Sequence, residues 1–126
     1  MGISSSAEAE KILKEELHWP EIHILVGKRA KFKCEYCGKY LLASYEDYDQ
    51  WQIDHIVPDG NNDPENLALS CKLCNFVKRH TSPTTLTTKT DRESLINAAR
   101  QIVAERRKIK EEIFSRTLEV ILVLKK

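Results

Sequence analysis

Cysteines at regular spacing are the first chemically informative feature of the chain. Two Cys-x-x-Cys pairs, Cys34 with Cys37 and Cys71 with Cys74, contain all four cysteines. Two cysteines separated by two residues can place both sulfurs on one metal ion, and four thiolates can close a tetrahedral zinc site. We therefore predict one structural zinc ion, with redox activity or disulfides as the alternative. Four protein ligands leave no open position on the ion, so its predicted role is not catalytic.

A second set of polar side chains lies between and directly after these pairs. Asp54 and His55 are neighbours, Asn66 follows a polar loop, and Asn75 comes directly after the last cysteine. A carboxylate and an amide oxygen suit Mg²⁺ or Mn²⁺ with several retained waters. His55 is a candidate general base because histidine changes its charge close to neutral pH. A single Asp-His pair is weak evidence, since such histidines are often structural, and the prediction therefore depends on the order of the whole set.

Two short strands and a helix are predicted to position these residues. Residues 51–56 alternate in the period-two pattern of a strand, which Pro58 ends. Residues 59–66, with the sequence DGNNDPEN, form a turn-rich loop, and residues 67–69 form the returning strand. A short helix is then expected from the second cysteine pair to about residue 80.

Basic side chains lie on either side of this region. Lys78 and Arg79 are predicted to share a helix face with Asn75, at spacings of three and four residues. Arg29 and Lys31 lie at the end of another short helix, predicted upstream of the first cysteine pair. Basic residues near a helix C-terminus are electrostatically favourable, and contact with phosphate is the alternative interpretation.

Helical segments are predicted on both sides of the central region. An apolar stripe at helical spacing predicts an amphipathic helix over residues 7–17. A capping box of Thr90 and Glu93 predicts the start of a long amphipathic helix. The apolar stripe of that helix suits either the core or a dimer contact. Residues 118–124 could form a final strand or the end of that helix, and composition favours the strand.

Length and composition limit the class of protein. The 126 residues fit one domain, or a small domain with helical extensions. The net charge of +1 does not by itself indicate a nucleic-acid binder. No stretch resembles a secretory signal or is long enough to span a bilayer, so we expect a cytoplasmic protein without a membrane partner. We divide the chain into an N-terminal helical extension (1–28), a central domain (29–82) and a linker with a long helix and tail (83–126).

In this order the motifs resemble the HNH endonuclease family, in its branch with four zinc-binding cysteines. The resemblance covers residues 29–80 and rests on CEYCG, DHIVP, ENLALSC and CKLCN. It implies an α+β fold with a ββα-metal core, in which two short strands and a helix hold one divalent cation. N- and C-terminal helices would flank this core and its four-cysteine structural zinc site.

The resemblance also implies roles for individual residues. Asp54 and Asn75 would ligate the catalytic Mg²⁺ or Mn²⁺, and His55 would deprotonate the attacking water. Asn66 would hold the loop and orient the histidine through backbone hydrogen bonding. Asn75 stands where other members carry the last histidine of the family name, and its amide oxygen should still ligate.

The function that the resemblance implies is metal-dependent hydrolysis of DNA phosphodiester bonds, by nicking or by double-strand cutting. Double-stranded DNA is the expected partner, contacted through the basic residues Arg29, Lys31, Lys78 and Arg79. A double-strand cut normally needs two sites, which a homodimer through the C-terminal helix would supply. The alternative is a catalytically inactive, zinc-stapled nucleic-acid-binding module, which the near-neutral net charge favours.

Overall fold

The computed structural model describes residues 2–126, where helices surround a two-stranded sheet. The predicted α+β class is thereby confirmed. The N-terminal extension predicted for residues 1–28 includes Met1, which lies outside the described residues. Two 3₁₀ turns, Pro64–Asn66 and Pro83–Thr85, lie in the connecting segments. The other elements are α1 (Ser6–Glu15), α2 (Glu21–Arg29), α3 (Tyr45–Tyr48), β1 (Trp51–His55), β2 (Leu67–Cys71), α4 (Lys72–Lys78) and α5 (Arg92–Leu124).

The sheet and the helix after it form the predicted ββα unit. β1 and β2 are antiparallel, with Trp51 opposite Cys71 and His55 opposite Leu67. β2 is buried along its whole length, as its apolar residues require, whereas most of β1 is half-buried. α4 begins directly after β2, with Cys71 as its N-cap. The second cysteine pair therefore joins the sheet to this helix.

One hydrophobic core connects the sheet to helices from both ends of the chain. Val26 of α2, Leu69 of β2, Val77 of α4 and Val103 of α5 are buried in the same cluster. Burying a side chain of this kind contributes roughly 1.5–3 kcal/mol relative to leaving it exposed. Both flanking segments thus help to stabilise the central unit, and the three-part division of the chain stays a prediction.

The C-terminal helix begins and ends differently from the prediction. Asp91, rather than Thr90, is the N-cap, and its side chain accepts a hydrogen bond from the Ser94 amide at 3.0 Å. Residues 118–124 continue the helix, so the strand predicted there is wrong. β-branched residues favour strands chiefly through packing on neighbouring strands, and no strand of the described chain pairs with this segment. None of the described helices combines the length and apolar character needed to cross a membrane.

Two shorter helices also end earlier than predicted. α1 ends at Glu15, has no buried residue, and is tied to α2 by an ion pair between Lys28 and Glu10 at 2.7 Å. α4 ends at Lys78 because Arg79 has a φ of 50°, which turns the chain out of the helix. The residues after Lys78 therefore do not follow helical spacing.

Candidate metal centre and active site

The four cysteines meet where the first Cys-x-x-Cys turn lies against the start of α4. Their sulfurs all lie within 4.8 Å of one another, and the Sγ atoms of Cys37 and Cys71 are 3.9 Å apart. Zn–S bonds of about 2.3 Å in a tetrahedral site would separate the sulfurs by roughly 3.8 Å, whereas a disulfide bond is about 2.05 Å long. All four thiols are free. The cluster is therefore positioned to hold a metal ion and is not arranged as two disulfides.

The electrostatics of the cluster also favour a cation. Hydrogen bonds with Cys34, Cys71 and Cys74 lower the pKa of the Cys37 thiol. The equivalent contacts with the other three thiols raise the pKa of Cys74. Hydrogen bonds with Cys34 and Cys37 raise the pKa of Cys71 in the same direction, so Cys37 takes a negative charge while Cys71 and Cys74 keep their protons. Because four thiolates at this distance repel one another, they can ionise together only when a metal ion offsets their charge.

Backbone turns and one arginine support the cluster. The Gly38 amide donates to the Cys34 carbonyl at 2.8 Å, and Gly38 has a φ of 81°, which glycine adopts without steric cost. The Cys74 amide donates to Cys71 Sγ at 3.4 Å. Arg107 of α5 donates to Cys74 Sγ, also at 3.4 Å, and offsets part of the thiolate charge. Sequence analysis missed Arg107 because it lies far along the chain, in a helix with many basic residues.

A separate cavity of about 700 Å³ lies along β1 and α4. α4 runs beside β1, so that Asn75 contacts Gln52 and Lys78 contacts Asp54. Three of the predicted site residues, Asp54, His55 and Asn75, line this cavity together. The lining also includes Pro58, Gly60, Lys72, Phe76, Arg79 and His80.

Asp54 is held by two side chains that sequence analysis did not connect with it. Its own side chain is 8% exposed. Its Oδ2 accepts a hydrogen bond from the Tyr36 hydroxyl at 2.6 Å and forms an ion pair with Lys78 Nζ at 3.0 Å. Burial and the nearby Asp54 carboxylate raise the pKa of Tyr36 well above its usual value. The hydroxyl therefore keeps its proton and acts as the hydrogen-bond donor. The other oxygen, Oδ1, takes part in neither of these contacts, and Asp54 lines the cavity.

His55 contacts a loop residue that was not predicted. Its Nε2 lies 2.7 Å from Oδ1 of Asn62. Because an amide oxygen only accepts hydrogen bonds, Nε2 carries the proton, and Nδ1 is left as the acceptor in the neutral ring. Nothing in the pattern of the loop distinguishes Asn62 from the other amides and acids around it.

Asn66 closes the loop between the two strands. Its Oδ1 accepts a hydrogen bond from the Val57 amide at 2.9 Å, and its Nδ2 donates to the Val57 carbonyl at 3.0 Å. The same Nδ2 donates to the Asn61 carbonyl at 2.9 Å. Among the described residues, no hydrogen bond joins the side chains of Asn66 and His55. Any influence of Asn66 on the histidine therefore acts through the backbone that follows His55.

Asp54 and Asn75 both line the cavity, and each carries a side-chain oxygen. Asn75 Nδ2 donates to Gln52 Oε1, which leaves the Asn75 amide oxygen free to face another group. Apart from the cysteine cluster, residues 2–126 hold no group of three His, Cys, Asp or Glu side chains close enough to bind an ion. One carboxylate oxygen and one amide oxygen fit Mg²⁺ or Mn²⁺, because such ions keep several waters and take further ligands from substrate phosphates.

Two of the predicted nucleic-acid-binding residues are engaged within the protein. The Lys78 side chain has no exposed surface, and its Nζ also donates to the His55 carbonyl at 2.9 Å. Arg29 donates to the carbonyls of Pro64 and Leu67 and so fixes the end of the loop. This placement does not support the predicted phosphate contacts of Lys78 and Arg29.

The other two predicted nucleic-acid-binding residues are exposed, on different surfaces. Arg79 lines the cavity and lies over the ring of Phe76, with its guanidinium carbon 4.2 Å from the ring centroid. Lys31 lines a separate groove beside the first cysteine turn, together with Lys33 and Arg100. His80, which sequence analysis set aside because of its helical spacing, also lines the cavity, since α4 ends before it.

Comparison with known proteins assigns a family to this central segment. The family model described as HNH endonuclease matches residues 34–81. No curated protein and no solved structure gives a significant match. The matched segment carries both cysteine pairs and the residues Asp54, His55, Asn66 and Asn75, so the resemblance seen in the motifs is confirmed.

Proposed function

Since residues 34–81 form an HNH domain, we propose that the protein is a metal-dependent endonuclease that hydrolyses DNA phosphodiester bonds. The observation that carries the proposal is that Asp54, His55 and Asn75 line one cavity beside the cysteine cluster. Hydrolysis requires a base and a cation site in the same place, whereas a binding module requires neither. The proposed substrate is DNA, with double-stranded DNA as the expected form.

His55 is the proposed general base. Its Nε2 is engaged by Asn62, so Nδ1 of the neutral imidazole takes a proton from the water that attacks phosphorus in line. The ion-paired Lys78 also holds the His55 carbonyl, which restricts the backbone at this residue. The expected products are a 5′-phosphate and a 3′-hydroxyl.

Asp54 and Asn75 are the proposed ligands of Mg²⁺ or Mn²⁺. When bound, such an ion neutralises charge on the scissile phosphate and stabilises the departing 3′ oxygen. Lys78 offsets the charge of Asp54, so the protein contributes little net negative charge to the site. We therefore expect the cation to bind tightly only together with substrate phosphate.

Zinc is the proposed ion of the cysteine cluster. Four thiolates at tetrahedral spacing suit zinc better than the hard ions proposed for the cavity. The free thiols also fit a reducing compartment, so the cytoplasm is the proposed location. In this arrangement zinc holds the framework, and the second ion takes part in hydrolysis.

Arg79 and Lys31 are the proposed phosphate-binding residues. Both are exposed, and Arg79 lies at the cavity that contains His55. Contacts between basic side chains and phosphates supply much of the affinity for DNA, independently of its sequence. Arg29 and Lys78 would act indirectly, by fixing the loop and Asp54.

A non-cutting nucleic-acid-binding module is the second candidate function. The ion pair between Lys78 and Asp54 favours it, because a carboxylate that already pairs with a buried ammonium group binds a cation more weakly. In that case DNA binding would persist without hydrolysis in any divalent ion.

A supercoiled-plasmid assay with Mg²⁺ and Mn²⁺ separates the two candidates. We expect the parent protein to nick the plasmid, and His55→Ala to reduce the rate by about 100- to 10,000-fold, since general-base catalysis contributes that much. DNA binding and zinc content should remain unchanged. Tyr45→Ala, at an exposed position that does not line the cavity, is the control and should keep activity.

Two outcomes would contradict this proposal. If His55→Ala cuts like the parent, the assigned base is wrong. If the parent binds DNA but cuts neither DNA nor RNA with any divalent ion, the protein is the binding module.

A further inference from the structure

A second pocket, of about 270 Å³, lies between the α1–α2 connection, α3 and β1. Aromatic rings form its walls. The rings of Trp19 and Tyr48 are nearly parallel, at 20°, with centroids 6.2 Å apart. Trp51 meets Trp19 edge-on at 5.2 Å. The three residues come from separate segments of the chain, so only the folded protein contains this pocket.

Trp51 is fixed in position by the residues behind it. A β-carbon at Gly27 would lie 2.5 Å from the Trp51 ring, so the bare glycine lets the indole pack directly against α2. Phe32 packs on the same ring, at a centroid distance of 5.9 Å. The aromatic wall is therefore formed before any ligand binds, which lowers the entropy cost of binding.

Two ring nitrogens of the pocket residues have unused hydrogen-bonding capacity. Trp51 Nε1 and His23 Nδ1 are buried and have no hydrogen-bond partner among the described residues. Burying a polar group without a partner costs free energy, so each such group in a folded protein calls for an explanation. Because both nitrogens are closed off from solvent, a ligand in this pocket would contact the faces and edges of the rings rather than these two atoms.

The aromatic pocket adjoins the catalytic cavity. Lys72 lines the cavity, Asp49 lines the pocket, and Lys72 Nζ lies 3.5 Å from Asp49 Oδ2. One ion pair therefore separates the two sites. A nucleic-acid strand with a phosphate in the cavity would have a neighbouring base beside the pocket.

We propose that this pocket binds one unpaired nucleobase of the substrate strand. Stacking on aromatic side chains is how proteins hold unpaired bases. The pocket is smaller than the roughly 300–1,000 Å³ sites of drug-sized ligands, which suits a single planar ring system. The carboxylate of Asp49 repels phosphate, so the phosphate belongs in the cavity and the base in the pocket. This proposal rests on the proposed function. It implies that the preferred substrate is DNA with an unpaired base next to the site of cutting.

Fluorescence of 2-aminopurine, a base analogue whose emission is quenched by stacking, tests the proposal. The full chain carrying His55→Ala, which prevents cutting, is titrated with a DNA duplex that contains one unpaired 2-aminopurine. The same duplex with that base paired is the reference. We expect quenching and tighter binding for the unpaired base, and Trp19→Ala should weaken that binding by about 5- to 100-fold, as for the loss of one base stack. Trp19→Phe should keep most of the affinity.

Control variants separate stacking from unfolding. Tyr45→Ala removes a neighbouring aromatic side chain that is 77% exposed and does not line the pocket, so it should change neither quenching nor affinity. Tyr48→Ala provides a second test if Trp19→Ala alters the melting temperature or the zinc content. Quenching that is unchanged in both Trp19→Ala and Tyr48→Ala overturns the proposal. A different result would identify the pocket as a cation site. In that case the protein would bind tetramethylammonium, Tyr48→Ala would lose this binding, and neither variant would change the affinity for DNA.

The test distinguishes failure of this proposal from failure of the proposed function, because binding is measured without hydrolysis. If the parent cuts plasmid but Trp19→Ala does not change base binding, the proposed function stands and the base-binding pocket is ruled out. If the parent never cuts but quenching depends on Trp19, the base-binding pocket stands and the proposed endonuclease function is ruled out.

Discussion

At the scale of single residues, side chains from distant segments contact Asp54 and His55 in the proposed catalytic cavity. Tyr36 and Lys78 both contact Oδ2 of Asp54, at 2.6 and 3.0 Å. Asn62 contacts Nε2 of His55 at 2.7 Å. The first two contacts involve the same oxygen of Asp54, and the third determines which nitrogen of His55 can accept a proton. In the proposed mechanism, Asn62 is therefore a positioning residue that acts through His55.

Removal of the Asn62 oxygen should slow hydrolysis without unfolding the protein. We expect Asn62→Ala to lower kcat by about 10- to 100-fold, the usual effect of losing a group that orients a site residue. KM and the melting temperature should change little, because Asn62 is exposed and lies in a loop. Steady-state kinetics and a thermal melt measure the two effects.

Asn62→Asp is the matched control for this prediction. Its carboxylate oxygen can still accept the proton of Nε2, so it should recover most of the rate lost in Asn62→Ala. Equal rates for Asn62→Ala and the parent would show that another group orients His55.

At the scale of elements, α5 consists of two different halves. Its buried residues all lie between Ile96 and Val103, and Arg107 reaches the cysteine cluster. Beyond that point the helix carries exposed apolar side chains, including Ile113 at 61% and Ile121 at 44%. In proteins, most of the stability of a helix comes from packing its apolar face against other elements. We propose that a second copy of the chain covers this half, which would provide the two sites that a double-strand cut needs.

Charging the exposed half of α5 should dissociate the proposed dimer. The parent should sediment at twice the chain mass of 14.6 kDa, and Ile113→Glu should sediment as a monomer, because a charge would be buried in the contact. Ser115→Glu adds the same charge at an exposed polar position and is the matched control. A parent that is monomeric at every concentration in the ultracentrifuge would rule out this dimer.

At the scale of the whole molecule, the cysteine cluster joins the parts that form the proposed catalytic cavity. Cys34 and Cys37 lie in the turn after α2, whereas Cys71 and Cys74 lie at the junction of β2 and α4. Asn75 directly follows the last of these cysteines, so the proposed cation ligand is attached to the proposed zinc site. The structural ion would therefore maintain the geometry of the cavity.

Loss of zinc should unfold the central region. We expect Cys71→Ser, or treatment with a strong chelator, to abolish the cooperative thermal transition, because zinc binding contributes directly to folding free energy. Metal analysis and circular dichroism measure zinc content and fold. Ser70→Ala, a buried neighbour, is the control and should retain zinc. A well-folded, zinc-free Cys71→Ser protein would contradict the structural role of the ion.

The sequence by itself determined the features that depend on short spacings along the chain. The two Cys-x-x-Cys turns, the alternating strand that ends in Asp54 and His55, and the helix that opens after Cys71 all follow from local geometry. The order of these motifs was enough to indicate the family and the ββα unit. Local composition predicted a strand at residues 118–124, where the structure has a helix, because the strand-favouring side chains have no neighbouring strand to pack against.

Only the tertiary structure decided the contacts between residues that are distant in sequence. It places Lys78 inside the protein against Asp54, brings Arg107 to Cys74, and assembles Trp19, Tyr48 and Trp51 around one pocket. The sequence gives the type of a basic or aromatic side chain but not whether that side chain is exposed or buried in the fold. Its partners depend on which elements pack together, and that packing results from burial of the whole core rather than from any local pattern.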